Sequence, residues 1–232
     1  MSALLREQRI ASRDQYKLLE HEAFKLLERY GIPYPPYGLA RTVEEAVRIA
    51  NEIGFPVVLK IVSPDVVHKT DVGGVLLGLN NEEEVAKGFK AILNNVKTWN
   101  PNARIQGVLV QKMITSGVEV IIGGVRDPIF GIVIMFGLGG VFTEILRDVS
   151  FRVWPVSRED VLEMINEIKG VNILKGFRGQ EPVSMYSIVD IVLRFGKLLE
   201  ENPVIESADL NPIRVFSNGL LVIDARFIIK PA

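Results

Sequence analysis

The 232 residues contain no cysteine. Disulfides, thiolate metal centres and a cysteine nucleophile are therefore excluded together. A cysteine-free chain suits a reducing compartment, and a cytoplasmic protein is expected. Charge of one sign is also lacking. The formal net charge is −1, so no bulk field draws the chain toward nucleic acid or an anionic membrane, and any anionic ligand must be met by a local site. The opening MSALLREQRIASRDQ has no apolar core segment and does not read as a secretory signal. The longest apolar stretch, IFGIVIMFGLGGVF, is broken by glycines and too short to span a bilayer. Histidine is scarce as well, with His21 and His68 alone.

The length allows one large domain or two lobes around a cleft. Ser12 and Gln15 match a capping box for a first helix, in which Leu18, Leu19, Ala23, Leu26, Leu27 and Tyr30 recur at helical spacing until Gly31. Thr42 and Glu45 open a second helix that ends near Gly54. Pro56 to Val62 reads as an apolar strand broken by Lys60, 63–70 as a polar loop, and Val75 to Leu79 as a returning strand. Asn80 caps a helix to about Val96. Beyond the turn-rich WNPNAR at 99–104 the texture changes. Strands are expected at 105–113, 118–124, 130–136 and 141–147, with Gly137-Leu138-Gly139-Gly140 as a loop between the last two. Helices follow at 157–168 and 184–201. The chain then runs through 204–210 and a hairpin, 213–216 and 220–224, about Ser-Asn-Gly. The class is α+β in two lobes, 1–104 and 105–232.

Four features could carry chemistry. An ammonium inside an apolar strand is costly unless it meets an anion, so Lys60 is either a phosphate ligand or a strand-edge lysine that snorkels to solvent. The glycines at 137, 139 and 140 allow close backbone approach, to a phosphate or simply around a turn. No Gly-Lys-Ser/Thr follows, which excludes a P-loop, and a strand rather than a helix comes next, which excludes a dinucleotide fingerprint. Asn211 of DLNP and Asp224 can be brought side by side by a strand end and a returning strand. An amide and a carboxylate oxygen suit magnesium, which leaves room for substrate phosphates; the alternative is an Asn-Pro turn with an unrelated aspartate. His21, in LLEHEAF, reads as a helix-surface residue. His68 lies in SPDVVHKTDVGG, where a neutral imidazole can attack phosphorus and pass the group on; the spacing by itself favours a loop histidine without chemistry.

Five ordered blocks give these features a common frame: VVLKIVSPDVVHKTDVGGV at 57–75, VQKMITSGVEVIIGGVRDPIFG at 110–131, FGLGGVFTEILRDVSFRVWP at 136–155, LKGFRG at 174–179 and ESADLNPIRV at 206–215. Together they resemble the beta subunits of ADP-forming acetyl-CoA synthetases, an ATP-grasp family related to succinyl-CoA synthetase, over essentially the whole chain. The resemblance implies a two-lobed ATP-grasp fold with the nucleotide in the cleft. Residues 1–104 would form the N-terminal region and the small lobe with the phosphohistidine loop; 105–232 would form the large lobe with the glycine loop and the magnesium site. Lys60 would contact ATP phosphates. Gln111, Lys112, Met113 and Ile114 would be the adenine hinge, with Glu119 beside the nucleotide and Gly137, Gly139 and Gly140 lining the cleft. Asn211 and Asp224 would hold Mg2+, with Glu206 and Asp209 close by, and His68 would be the phosphorylated relay.

In such enzymes a partner alpha subunit binds CoA, and the pair converts acyl-CoA, ADP and phosphate into the carboxylic acid, CoA and ATP. The chain would then be inactive alone and work in a heteromer, α2β2. Another ATP-grasp ligase, or a non-catalytic nucleotide-sensing module, would have no use for His68 as a relay.

Overall fold

The computed structural model describes residues 16–66, 68–140, 148–177, 179 and 181–230. The Ser12–Gln15 cap and the strand expected at 141–147 lie outside the described residues. In chain order the elements are β1 (Tyr16–Lys17), α1 (Glu20–Arg29), β2 (Tyr37–Ala40), α2 (Val43–Ile53), β3 (Val57–Val62), β4 (Val75–Leu79), α3 (Glu82–Trp99), β5 (Gly107–Lys112), β6 (Val118–Asp127), β7 (Gly131–Leu138) and β8 (Val149–Val153), followed by α4 (Arg158–Glu167), α5 (Val171–Leu174), α6 (Met185–Glu201), β9 (Ile205–Phe216), β10 (Gly219–Val222) and β11 (Ala225–Ile229).

The strands form two antiparallel sheets. The smaller has the order β2-β5-β3-β4; the larger runs β1-β11-β9-β6-β7-β8, with β10 also paired to β9. β3 is central in the smaller sheet, which explains its apolar character around Lys60: all six residues are buried. Successive side chains point to opposite faces. Val57, Leu59 and Ile61 therefore join α2 and α3 in one core with Ala46, Phe89 and Ile92, while Val62 and Leu109 belong to the other core. In the larger sheet Ile132, Ile134 and Phe136 pack with Ile188, Val192 and Phe195 of α6.

The division of the chain differs from the expected cut at 104/105. β5, from beyond that cut, pairs with β2 and β3 of the smaller sheet. In the other direction, Ala23, Phe24 and Leu27 of α1 pack into the core of the larger sheet, and β1 pairs with β11. Tyr30 Oη donates to Glu201 (2.9 Å) and Arg194 to the Gly31 carbonyl (3.0 Å), fastening α1 to α6. The texture change at WNPNAR marks the end of α3, not the end of a sheet.

Several boundaries also move. α1 begins at Glu20 because the chain just before it is used as strand β1. Thr42 caps α2 as expected, accepting from the Glu45 N–H at 3.2 Å, but the Glu45 carboxylate accepts from Arg41 N–H, one residue before the cap. Asn81, not Asn80, caps α3: its side chain accepts from Glu84 N–H at 2.9 Å. Residues 205–216 form one continuous strand, and β2 and β11 lie where no strand was expected. Among the described residues no helix is long and apolar enough to cross a membrane.

Gly196, inside α6, tests the packing of that helix on the larger sheet. On an exposed helix Gly→Ala stabilises by up to about 1 kcal/mol. Here an added Cβ would stand 2.2 Å from ring atoms of Trp154. Gly196→Ala is expected to destabilise by roughly 1–3 kcal/mol, read as a lower Tm in thermal unfolding; an unchanged or raised Tm would contradict the close approach.

Candidate functional site

The two sheets meet where β3 and β5 face the turn between β10 and β11. Lys60 is 6% exposed and sits on the central strand of its sheet, so snorkelling to solvent is ruled out. Its ammonium donates to Glu20 at 2.6 Å and to the Ile223 carbonyl at 2.9 Å. Gln111 Nε2 donates to the same carbonyl at 3.3 Å, and Gln111 Oε1 is buried without a partner. Ile223 thus links the small sheet to the large one.

Glu20 escaped the sequence reading, although a signal existed. Glu20, Ala23, Phe24 and Leu27 fall on one helical stripe and all are buried. A carboxylate on the apolar face of a helix calls for a buried cation. It has two, because Lys69 also pairs with it. Burial pushes the Glu20 carboxyl up, but Lys60 and Lys69 outweigh it and bring its pKa down to about 2. Burial lowers Lys69, yet Asp224 and Glu20 prevail and its pKa is raised. Burial, with Lys69 adding to it, lowers Lys17 to about 8. Burial also raises Asp209 to about 6, with Asp224 reinforcing it and Arg226 opposing. Four basic groups, Lys17, Lys60, Lys69 and Arg226, therefore gather around Glu20, Asp209 and Asp224. Field of this sign in a buried setting favours an anion.

Asn211 and Asp224 come together: the Asn211 N–H donates to the Asp224 carbonyl at 3.0 Å, and Ile223 N–H to Pro212 O at 2.9 Å. Asp209 is one strand period away and pairs in register with Arg226. Glu206 does not join them. It lies toward the other end of β9, lining a cavity of about 390 Å³ with Arg126, Asp127 and Lys230. Among the described residues no three acidic or histidine side chains converge as a metal cage. Two oxygen donors still fit magnesium, which commonly takes one or two carboxylates and completes its shell with phosphate and water.

His68 is exposed in the loop between β3 and β4. His21 is not a plain surface residue, since its Nδ1 is buried without a partner. Gly73 and Gly74, which close the loop, are closely packed. A Cβ on Gly73 (φ 62°) would meet Asn95 at 2.6 Å, and one on Gly74 would meet Ile61 at 2.6 Å.

The hinge residues divide. The Lys112 side chain is engaged elsewhere, donating to the Gly54 and Phe55 carbonyls at 2.9 and 2.7 Å at the end of α2. Its N–H donates to Pro36 O and that of Met113 to Pro56 O. Ile114 follows directly, half-buried. Gly137 lies within β7, paired with Ile121 and Val149, rather than opening a loop, and Gly139 N–H continues the ladder onto Glu119 O at 2.8 Å. A Cβ on Gly139 would stand 2.8 Å from that of Glu119, so here glycine serves close strand approach. Glu119 pairs with Arg214 at 2.7 Å. Both line a cavity of about 350 Å³ with Gly139, Gly140 and Ile173.

A two-sheet molecule with a buried lysine, an adjoining amide–carboxylate pair and a glycine-closed strand end is an ATP-grasp architecture, and the ATP-grasp domain model matches residues 9–229. The chain belongs to the ATP-grasp family, among the beta subunits of ADP-forming acetate–CoA ligases. It is 47% identical to the beta subunit of acetate–CoA ligase (ADP-forming) I of Pyrococcus furiosus, covering 94% of each chain. It is 51% identical to acetate–CoA ligase (ADP-forming) I of Archaeoglobus fulgidus over 90% of this chain, but it spans 30% of that longer protein. Acetyl-coenzyme A synthetase 1 of Ca. Korarchaeum cryptofilum, solved with coenzyme A and Ca-AMPCP, superposes with a TM-score of 0.90 at 52% identity, covering 98% of each chain. Another structure of that synthetase, with Mg-AMPPCP and its phosphohistidine segment pointing toward the nucleotide site, gives a TM-score of 0.81 at 48% identity over the same coverage.

The Glu20 carboxyl makes stability depend on acid. Its pKa falls from 4.5 to about 2 on folding. Its contribution is therefore complete above about pH 4.5 and lost as pH drops toward 2, a change on the order of 3 kcal/mol. Glu20→Gln is expected to flatten that dependence in acid titrations of unfolding. At pH 7 it should cost roughly 3–5 kcal/mol, because Lys60 is left buried without its counter-charge. Equal acid profiles for the two proteins would exclude the pairing.

Proposed function

We propose that this chain is the nucleotide-binding beta subunit of an ADP-forming acyl-CoA synthetase, moving a phosphoryl group between His68 and ADP. One observation carries the assignment. The Ile223 carbonyl receives the Lys60 ammonium, and the next residue, Asp224, is hydrogen-bonded to Asn211. A buried lysine and the backbone of the two residues expected to hold magnesium thus adjoin each other at the contact between the two sheets, which supports this reading.

Lys60, with Lys17 close by, would neutralise the β- and γ-phosphates. Asn211 and Asp224 would hold Mg2+, which supplies charge neutralisation at the phosphates when bound. The backbone beyond Met113 at Ile114 would meet adenine, and Glu119, with Gly139 and Gly140, would border the nucleotide. An imidazole nitrogen of His68 attacks the γ-phosphorus; the bond to the bridging oxygen of ADP breaks and ADP leaves. In the ATP-forming direction the same steps run backward. Such a transfer needs positioning and a fixed field more than covalent help, which is what these residues offer.

The single-chain Archaeoglobus relative is about three times longer than the matched part, which supports a separate CoA-binding partner for this chain. We infer an α2β2 heteromer in the cytoplasm, with the acyl-CoA and inorganic phosphate handled on the alpha subunit. The residues give no reason to expect nucleic acid or membrane as partners.

Incubation with γ-labelled ATP and Mg2+ is expected to leave acid-labile, base-stable label on His68. His68→Asn should abolish the label and, with the alpha partner, reduce turnover by at least about a thousandfold, since no carrier remains. Full turnover by that variant would point to a ligase that forms an acyl phosphate directly; ATP binding without labelling of the unmodified protein would point to a sensing module. Lys60→Met should raise the KM for ATP and lower kcat, while circular dichroism tests that the fold persists.

A further inference from the structure

The segment bearing His68 is tied down on both sides. Before it, Asp65 accepts from the Arg104 N–H and guanidinium, each at 2.7 Å, and Val66 is buried. After it, Gly74 N–H donates to Lys69 O at 2.7 Å and Gly74 O accepts from Ile61 N–H at 2.8 Å. Asn95 donates to Gly73 O at 3.1 Å. A further tie is the Lys69 ammonium on Glu20.

One carboxylate therefore serves two cations with different duties. Oε1 holds Lys60 at 2.6 Å, and Oε2 holds Lys69, the residue that follows His68. Glu20 is 3% exposed, and a carboxylate so placed is strongly destabilising once it has no cation. With both lysines present, either can leave while the other satisfies the charge. With one drawn off, the second cannot leave cheaply.

Resting on the reading that Lys60 meets nucleotide phosphate, we propose that Glu20 is a positioning residue that clasps the His68 segment according to nucleotide occupancy. Phosphate that draws Lys60 away leaves Lys69 as the remaining cation of Glu20, so bound nucleotide tightens the hold on the segment and keeps His68 in place. Departure of the nucleotide returns Lys60 to Glu20 and lets Lys69 go. By linkage, a freed Lys69 weakens nucleotide binding, because Lys60 must then stay with Glu20. Asp224 attracts Lys69 as well, and Arg226 repels it, so the test must isolate the part that runs through Glu20.

The full chain is compared with Lys69→Met, which leaves the Lys60–Glu20 pair intact, and with Glu20→Gln and the double variant. Binding of a non-hydrolysable ATP analogue with Mg2+ is measured by calorimetry, and amide exchange at Gly73 and Gly74 with and without it. In the unmodified protein the analogue should slow exchange by about tenfold or more, and Lys69→Met should abolish the slowing and weaken binding. In the Glu20→Gln background Lys69→Met should have little further effect on either. Slowing that survives in Lys69→Met, or an equal loss of affinity from Lys69→Met in both backgrounds, would overturn the clasp, the latter because Lys69 would then act on the phosphate directly. Failure of the unmodified chain to bind the analogue at all would instead overturn the nucleotide reading beneath it. If Glu20→Gln does not fold, the exchange comparison for Lys69→Met alone still decides.

Discussion

The pairing of Lys60 with Glu20 is the constraint around which this molecule is arranged. A lysine on the central strand of a sheet, buried on both faces, requires a counter-charge, and none is available within its own sheet. The counter-charge comes from α1, which packs with the other sheet, and the ammonium's further acceptor is the Ile223 carbonyl, also from the other sheet. Satisfying one buried charge thus fixes how the two sheets meet, and places the Asn211–Asp224 pair beside the ammonium. Replacing ion and counter-ion by apolar groups of similar volume is often neutral or stabilising in proteins generally. Stability alone therefore does not account for an ion pair at this position.

The class and much of the layout were legible before the structure. Strand β3, the cap at Thr42, the helix starts near Ser157 and Ser184, and the stop at Gly31 follow from local chemistry and are found in place. What could not be read was pairing at long range. β5 looks like the first strand of a new region because a long helix precedes it, yet hydrogen bonding assigns it backward to β2 and β3. β1 is too short to carry a period of its own and exists because β11 offers it an edge. The extended stretch now seen as β2 depends in the same way on β5.

The candidate site divides along the same line. Asn211 and Asp224 could be expected together because a hairpin connects them. Lys60 could be singled out, but its partner lies 40 residues earlier, where only the helical stripe of Glu20 with Ala23, Phe24 and Leu27 gave a sign. Lys112 shows the converse: a polar residue in a suggestive place spends its side chain on the carbonyl end of α2. Glu206 shares a motif with Asp209 yet faces another cavity, because a strand advances about 3.3 Å per residue and separates them along its length.

The contact of Lys60 with Ile223 spans 163 residues of sequence. During synthesis the four strands of the smaller sheet can all be present once Lys112 has left the ribosome, but at that moment the lysine has only half of its eventual environment. Its remaining partner is among the last parts of the described chain to emerge. Glu20, already made, supplies the counter-charge, but the carbonyl that ties this lysine to the large sheet arrives only near the end of the described chain.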